Sequence, residues 1–330
     1  MFAERLICSW VGALGLAAGA FCQTYVQFTV DSATTPTSIN KKGEVAGYYF
    51  PFGATGFYGF VRDPGGTITI FDVPGSSGTS AISLNDKGAI TGIYTDSLGG
   101  IHAYVRDPEG NFTSFDLPGI FSIITMCINA CGAVTAAYED ASHGLHGVLR
   151  RADGKLISID PPGSLSAGAY GINAKGAITG PYVDANGSHG FVSEPGGTFV
   201  SFDVPGSMGV IPYRINNSGA ITGWYVANQR TFGFVRDPQG NLTSFDPGYN
   251  VSPASINNKG AITGAYADIT ESHTQGFVRS PDGTITSFEP PFCFGTGPGG
   301  PQSINDEGVI TGWCSPLVPS PRPVGFVRFP

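Results

Sequence analysis

The chain has 330 residues and a formal net charge of −8, with 17 Lys and Arg against 25 Asp and Glu. Charged residues make up 13% of the chain, about half of the usual ~25%, and the acidic balance excludes a strongly basic nucleic-acid-binding surface. Glycine (49) and proline (25) are frequent beside 41% apolar residues, which excludes long helices and indicates many short strands joined by tight turns around a large core.

The N-terminal segment has the form of a secretory signal peptide. Arg5 precedes a largely apolar run that ends in Ala-Gly-Ala at residues 18–20. The run is shorter than the ~20 residues that a membrane span needs, so we expect cleavage after Ala20. This makes residues 1–20 a signal peptide and residues 21–330 a secreted or periplasmic chain with no membrane span after cleavage.

Internal repetition is the strongest signal in the sequence. Seven Ile-Asn or Leu-Asn steps, 41 to 48 residues apart, are each followed three residues later by Gly, at Asn40, Asn85, Asn129, Asn173, Asn216, Asn257 and Asn305. A period of about 44 residues matches a four-stranded propeller blade. Each unit predicts strand a, ending at Ile-Asn; strand b, Ile-Thr-Gly-x-Tyr; strand c, Gly-Phe-Val-Arg; and strand d, of the Thr-Ile-Phe type. Turn sequences Asn-x-x-Gly and Asp-Pro-x-Gly follow strands a and c.

The two ends of the chain predict a closed ring. The seventh unit stops at Arg328, after strand c. The missing strand d is found near the N-terminus, where residues 25–30 align with residues 68–73 and place Phe28 on Phe71. We therefore predict an all-β, monomeric protein with a single domain. It is a seven-bladed β-propeller with four antiparallel strands per blade, closed by the N-terminal strand.

The repeats also resemble a known family. Units of the form Ile-Asn-x-x-Gly-x-Ile-Thr-Gly, followed by tripeptides that begin at His102, His146 and His189, resemble the bacterial extracellular HAF-repeat family, named for His-Ala-Phe. The resemblance covers residues 38–328. Because the chain mostly has Gly where the family has Ala, and Val-Arg where Leu-Trp is typical, it is identified as a divergent member. The resemblance implies secretion and a propeller-like fold, and it names no activity.

The predicted topology separates the connections into two faces. With strand a innermost and strand d outermost, the a–b and c–d turns share one face, here called the turn face. The b–c and d–a connections share the other, the loop face, which receives the irregular segments 50–57, 290–301 and 315–323. Functional residues concentrate on variable loops of a rigid scaffold, so we expect a ligand on the loop face.

Three blades place a histidine at the start of strand c and a Tyr-x-Asp at the end of strand b. The pairs are His102 with Asp96, His146 with Asp140, and His189 with Asp184. Such a ring is able to bind a sugar or a metal. Repetition in several blades favours a structural role, in which Asp caps the loop and His bonds across the hairpin. We expect no metal site and no cofactor.

The inner strands contain residues that break the repeat. Small or weakly polar residues precede the Ile-Asn step in six blades, whereas Arg214 stands there in the fifth. Tyr170 and Tyr213 occupy the position before it in two blades. Arg214 suits a carboxylate or phosphate and the tyrosines suit stacking. In the alternative interpretation, Arg214 pairs with a neighbouring acid.

Two tryptophans, Trp224 and Trp313, occupy the same position of strand b in different blades. Exposed tryptophans stack on sugar rings. The alternative is that they fill gaps between blades, because both faces of most blade strands are buried.

Two cysteines of blade 7 are predicted to form a disulfide. Cys293 lies in the connection that enters strand a, and Cys314 ends strand b, so both belong to the loop face. The pairing of Cys22, Cys127 and Cys131 is left open.

The sequence establishes the architecture more firmly than the function. It contains no recognisable catalytic motif, and the catalytic residues, if any, stay unknown. Gly-x-Ser-x-Gly, His-Glu-x-x-His and Walker sequences are absent from the sequence. We predict a secreted binding module that recognises a glycan or another cell-surface or extracellular ligand, including a protein, on its loop face. Two alternatives stay open: an extracellular polysaccharide hydrolase or lyase that uses the Asp and His residues, and a structural protein-interaction scaffold.

Overall fold

The computed structural model describes residues 5–9, 23–116, 120–270, 273–293, 300–316 and 322–330. These residues form β-strands, turns and loops, with no helix among them. Seven antiparallel sheets pack side by side in a ring, which confirms the seven-bladed β-propeller. Within the described ranges, no helix is long and apolar enough to cross a membrane.

Each blade runs from strand a at the centre to strand d at the rim. The a strands are β3 (Ala33–Ile39), β7 (Gly78–Leu84), β11 (Ile120–Ile128), β15 with β16 (Ser166–Ala167, Gly171–Ile172), β20 (Gly209–Ile215), β24 (Tyr249–Ile256) and β28 (Pro301–Ile304). The b strands are β4 (Val45–Phe50), β8 (Ile90–Thr95), β12 (Val134–Asp140), β17 (Ile178–Asp184), β21 (Ile221–Ala227), β25 (Ile262–Ala267) and β29 (Ile310–Cys314).

The outer half of each blade consists of strands c and d. The c strands are β5 (Tyr58–Arg62), β9 (Ile101–Arg106), β13 (Leu145–Arg150), β18 (Gly187–Ser193), β22 (Arg230–Arg236), β26 (Thr274–Arg279) and β30 (Val324–Arg328). The d strands of blades 1 to 6 are β6 (Ile68–Phe71), β10 (Phe112–Phe115), β14 (Leu156–Ser158), β19 (Phe199–Phe202), β23 (Leu242–Phe245) and β27 (Ile285–Phe288).

Strand d of blade 7 comes from the N-terminus, as the sequence predicted. Strand β2 (Gln23–Phe28) pairs antiparallel with β30 and places Phe28 opposite Gly325. Phe28 and the following Val30 are each 5% exposed, in a core cluster shared with blade 1. The N-terminal strand therefore closes the ring, because it pairs with blade 7 and buries its apolar side chains against blade 1.

A further strand, β1 (Arg5–Ser9), pairs with the outer edge of β2. It lies inside the segment interpreted as a signal peptide. The rest of that segment, and Cys22, lie outside the described residues, and signal cleavage stays a prediction.

The a–b turns share one conformation because each ends in glycine. In the first, the N–H of Gly43 donates to the carbonyl of Asn40 at 3.0 Å, and the N–H of Asn40 donates to the carbonyl of Glu44 at 3.1 Å. The seven turn glycines have φ between 81° and 95°, the left-handed region that side chains with a Cβ rarely adopt. This is the type I turn with a glycine bulge that joins many hairpins.

The seven turn asparagines form a closed ring of hydrogen bonds around the central channel. Each side-chain oxygen accepts N–H bonds within its own turn, and each side-chain amide donates to the backbone carbonyl of the asparagine in the next blade, at 2.8 to 3.2 Å. This ring, here called the asparagine ring, surrounds a cavity of about 190 Å³ lined by the a–b turns. All seven asparagines are buried, so their polar groups are satisfied in place.

Neighbouring blades are also joined by an Arg–Phe contact. The arginine that ends strand c lies over the strand d phenylalanine of the preceding blade, with Cζ 4.7 to 5.4 Å from the ring centre, in the pairs Arg62–Phe28, Arg106–Phe71, Arg150–Phe115, Arg236–Phe202, Arg279–Phe245 and Arg328–Phe288. The remaining interface has Ser193 and Ile159 at these two positions. Both partners change together, as expected if the guanidinium and the ring stabilise each other.

Candidate functional site

The two faces of the ring present different chemistry. Eight large apolar side chains that are more than a third exposed lie in or beside the b–c and d–a connections of the loop face: Phe50, Phe52, Leu98, Ile101, Leu165, Val183, Met208 and Ile269. Among the described residues, no side chain of this kind lies on an a–b turn. The turn face instead presents Lys, Asp, Asn and Ala beside the asparagine ring. Three further large apolar side chains of similar exposure lie elsewhere, Ile70 and Val200 in strands d and Phe329 after strand c. The loop face therefore has most, though not all, of the exposed large apolar side chains among the described residues.

Four residues singled out in the sequence lie together where blades 4 and 5 meet. The rings of Tyr170 and Tyr213 meet edge to face with centroids 6.1 Å apart. Tyr213 also contacts Trp224, at 5.8 Å between centroids. Arg214 completes the group, with its Cζ 4.0 Å from the centre of the Tyr213 ring. Burial raises the pKa of Tyr170, with a further contribution from Tyr213, so this hydroxyl stays neutral.

Arg214 is held by backbone carbonyls and an aromatic ring rather than by an acid. Its Nη1 donates to the carbonyl of Tyr213 at 3.0 Å and to that of Tyr170 at 3.3 Å. Gly171 makes this approach possible, because a Cβ there would lie 3.1 Å from the Arg214 Cα and from the Tyr213 carbonyl oxygen. The guanidinium therefore fixes the Tyr213 ring in place.

Next to this group, a cavity of about 370 Å³ opens between blades 5, 6 and 7. We call it the blade 6 cavity. Its lining residues are Tyr213 and Trp224 from blade 5; Asn250, Ser252, Pro253, Ala254, Ala265, Tyr266, Ala267 and Thr274 from blade 6; and Pro301 and Gln302 from blade 7. Its volume falls in the range of roughly 300–1,000 Å³ typical of small-molecule sites.

At the cavity, blade 6 has a small residue where its two neighbours have tryptophan. In the Ile-Thr-Gly-x step of strand b, Ala265 occupies the position of Trp224 in blade 5 and Trp313 in blade 7. Trp224 lines the space that this difference leaves. Trp313 is half-buried, is not among the lining residues, and precedes Cys314 in β29.

The three histidines lie elsewhere, in the outer half of blades 2, 3 and 4. His102 is 3.2 Å from Asp96 through Nε2 and 3.0 Å from Asp116 through Nδ1, and its ring stacks on Tyr94. His146 bonds Asp140 and Asp160 at 3.3 and 3.2 Å, and His189 bonds Asp184 and Asp203 at 3.2 and 2.8 Å. The second aspartate of each set follows strand d.

The first aspartate of each set caps its b–c loop. Asp96 accepts hydrogen bonds from the backbone N–H groups of Leu98 and Gly100, both at 2.8 Å. The hydrogen bond from His102, followed by these two, lowers the pKa of Asp96. The histidines thus bond across the hairpin as the structural interpretation predicted, with a second carboxylate that the sequence reasoning missed.

The flanking carboxylates control the protonation of two of these histidines. Burial acts to lower the pKa of His102 and of His189, but hydrogen bonds to Asp116 and Asp96, and to Asp203 and Asp184, outweigh it, so that both pKa values are raised. Across the described ranges, no group of three or more His, Cys, Asp or Glu side chains is arranged to hold a metal ion.

The predicted disulfide is present on the loop face. Cys293 and Cys314 are bonded, with their Cα atoms 5.9 Å apart, and both are buried. Cys127 and Cys131 are free thiols. The bond joins the connection that enters blade 7 to the end of its strand b.

Comparison with solved structures identifies several propellers of similar fold. An oligogalacturonate lyase in complex with manganese superposes with a TM-score of 0.63 at 11% identity, covering 100% of this chain and 98% of the other. A streptogramin B lyase gives 0.56 at 17% identity, covering 93% and 97%. The β-propeller domain of the Trilobed protease from Pyrococcus furiosus gives 0.59 at 10% identity, covering 89% and 95%. These similarities establish the fold.

No family model and no curated protein matches the sequence.

Sequence reasoning placed Tyr170, Tyr213, Arg214 and Trp224 on its list of candidates, and the structure brings these four together. Trp313 and the three histidines stand apart from them. Ala265, Tyr266 and Gln302 also line the cavity but were not among the predicted ligand-binding residues. The sequence signal for this cavity was Ala265, a small residue in blade 6 at the strand position where blades 5 and 7 have Trp224 and Trp313.

Proposed function

We propose that this protein is a secreted, non-enzymatic binding propeller that recognises a glycan or another extracellular ligand on its loop face. The observation that carries this proposal is the difference between the two faces. The asparagine ring satisfies the buried polar groups of its own seven asparagines on the turn face, whereas the loop face has most of the exposed apolar side chains and opens into the blade 6 cavity. A ligand therefore buries more apolar surface on the loop face.

Catalysis on a polysaccharide is less well supported. Two of the similar structures are lyases, one of them named for oligogalacturonate. In this chain the candidate acids and bases, such as His102 with Asp96, are paired inside single hairpins and serve the blade. A hydrolase or lyase needs such groups converging on one substrate position. We therefore favour binding over catalysis.

Export is part of the proposal. The N-terminal 20 residues have the form of a signal peptide, and the Cys293–Cys314 disulfide suits an oxidising compartment. On its repeat motifs we also propose that the chain is a divergent member of the HAF-repeat family.

The proposal is tested with the exported protein on an array of neutral and acidic glycans. Met208→Ser with Ile269→Ser changes two exposed apolar residues of the loop face, one before strand a of blade 5 and one after strand b of blade 6. Lys175→Ser with Lys259→Ser is the matched control on the turn face. We expect binding that the first pair weakens and the second leaves unchanged. Equal loss with both pairs, or no loss with either, contradicts the loop-face assignment.

The two alternatives have their own readouts. Release of shorter saccharides from a bound glycan supports the hydrolase or lyase. Absence of any glycan binding, together with stable capture of a protein, supports the scaffold.

A further inference from the structure

We propose that the blade 6 cavity binds one uncharged sugar ring, stacked against Tyr213 and Trp224. This inference rests on the proposed function and deepens it, because it assigns both the site and the class of ligand.

The aromatic wall of the cavity is held rigidly. Tyr213 has the guanidinium of Arg214 at 4.0 Å, Tyr170 edge-on at 6.1 Å and Trp224 at 5.8 Å. Three neighbours of this kind leave the ring little freedom to reorient. Binding therefore does not have to immobilise the Tyr213 side chain, and the entropy cost of ordering it does not oppose binding.

Polar groups without protein partners line the same cavity. Within the described part of the chain, the Tyr213 hydroxyl, the Trp224 indole N–H and the Gln302 side-chain amide make no hydrogen bond to protein, and all three residues are half-buried. The Tyr266 hydroxyl, in contrast, is satisfied by Gln275 and Ser287, both at 2.6 Å. These three groups are accessible from the cavity and able to donate or accept hydrogen bonds, so together they suit a ligand with hydroxyls.

The lining excludes a charged ligand. Among the described residues that line the cavity, none is Asp, Glu, Lys, Arg or His. The nearby cation, Arg214, is engaged with two carbonyls and the Tyr213 ring. A carboxylate or sulfate brought into this space would lose water without gaining a countercharge. A neutral pyranose matches these requirements, because it has apolar ring faces, several hydroxyls and no net charge.

A single substitution in blade 6 should fill the cavity with a side chain that the neighbouring blades already have at the equivalent position. Ala265→Trp introduces tryptophan into blade 6 at the strand b position that Trp224 occupies in blade 5 and Trp313 occupies in blade 7. Its indole would occupy the cavity. Trp313→Ala is the control for aromatic loss, because this tryptophan is half-buried at the equivalent position and does not line the cavity.

Binding is measured by calorimetry on the exported protein, with methyl glucoside, galactoside, mannoside and N-acetylglucosaminide as neutral probes and methyl glucuronide and galacturonide as acidic ones. We expect at least one neutral probe to bind. Trp224→Ala should weaken it about fivefold or more, Gln302→Ala severalfold, and Ala265→Trp should abolish it. Trp313→Ala should match the wild type. Thermal midpoints of each variant separate lost binding from lost folding.

The outcomes distinguish this inference from the proposed function. If glycans bind but Trp224→Ala and Ala265→Trp bind like the wild type, the site is wrong and the loop-face function stands. If the acidic probes bind more tightly than the neutral ones, the ligand class is wrong. If no glycan binds on the array and no probe binds in solution, the sugar assignment of the cavity fails together with the glycan part of the proposed function.

Discussion

The side-chain amide of Asn305 donates a 3.1 Å hydrogen bond to the backbone carbonyl of Asn40, across 265 residues of sequence. It is the last of seven equivalent bonds and the one that joins the final blade to the first. The ring therefore closes twice, once at the channel through this bond and once at the rim through β2. Each closure joins residues from opposite ends of the sequence.

The asparagine ring predicts a large difference between two adjacent residues. Asn216→Ala removes a donor to Asn257 and an acceptor used by Ser218 and Ala220. Because the carbonyl of Asn257 is buried and the N–H of Ala220 is partly buried, these two groups become unsatisfied, and we expect the free energy of unfolding to fall by about 2–4 kcal/mol. Asn217→Ala loses the exposed hydrogen bond that its side-chain oxygen accepts from the N–H of Ala174, and it should cost less than about 1 kcal/mol. Equilibrium denaturation measures both, and equal losses would refute the structural role of the ring.

The Arg–Phe contacts predict energetic coupling between blades. In a double-mutant cycle, Arg106→Ser and Phe71→Ile should each destabilise the protein. The double variant, which copies the natural Ser193 and Ile159 pair, should be more stable than the sum of the two losses implies, by about 0.5–2 kcal/mol. Chemical denaturation of the four proteins gives the coupling. Strict additivity would show that the ring and the guanidinium act independently.

The disulfide predicts a redox-dependent stability. Replacing Cys293 and Cys314 together by serine should lower the free energy of unfolding by about 3 kcal/mol, since the bond closes a loop of 21 residues. A reducing agent should bring the wild type to a similar unfolding midpoint and leave the double variant unchanged. Cys127→Ser, which removes a free thiol, is the control. Non-reducing peptide mapping that finds Cys293 and Cys314 unlinked would contradict the pairing.

The histidine sets predict a pH window for stability. His102 and His189 have pKa values raised above their ordinary 6.5, so their contribution is complete below pH 6.5 and is lost as the pH rises through the folded-state pKa. Asp96 and Asp184 have pKa values lowered from 3.8, so their contribution is present above that pH and is lost in stronger acid. The contribution is therefore greatest between about pH 4 and 6.5.

The test compares the thermal midpoints of the wild type and of His102→Gln with His189→Gln from pH 4.5 to 9. We expect the gap between the two proteins to be widest near pH 5–6 and to shrink in alkaline solution. His143→Gln, which alters an exposed histidine outside these sets, controls for a general effect of losing a charge. A gap that does not change with pH would contradict the prediction.

Much of the fold was predictable from local pattern. The spacing of Asn40, Asn85 and their equivalents set the number of blades, because each Asn-x-x-Gly turn is a local structure that needs no distant partner. The match of Phe28 to Phe71 located the closing strand, because a strand d at the N-terminus has the same alternation of apolar and polar residues as the strands d of the other blades. The Cys293–Cys314 pair followed from the same strand order.

The candidate site was predictable only in part. Tyr213, Arg214 and Trp224 were recognisable as departures from the repeat, and they lie together. Gln302 and Tyr266 gave no such signal, because they line the cavity through the packing of three neighbouring blades, which the linear pattern does not encode.

The sequence by itself determined the period, the four strands of each unit, the turn types and the closing strand, since all of these depend on short-range backbone preferences and on alternation of apolar residues. The tertiary structure decided which side chains meet. Asn305 reaches Asn40, Asp116 reaches His102 as a second carboxylate, and Ala265 leaves space beside Trp224, because these contacts depend on the register between strands and on the packing of adjacent blades. Such distances are set when the ring closes, and no stretch of sequence contains them.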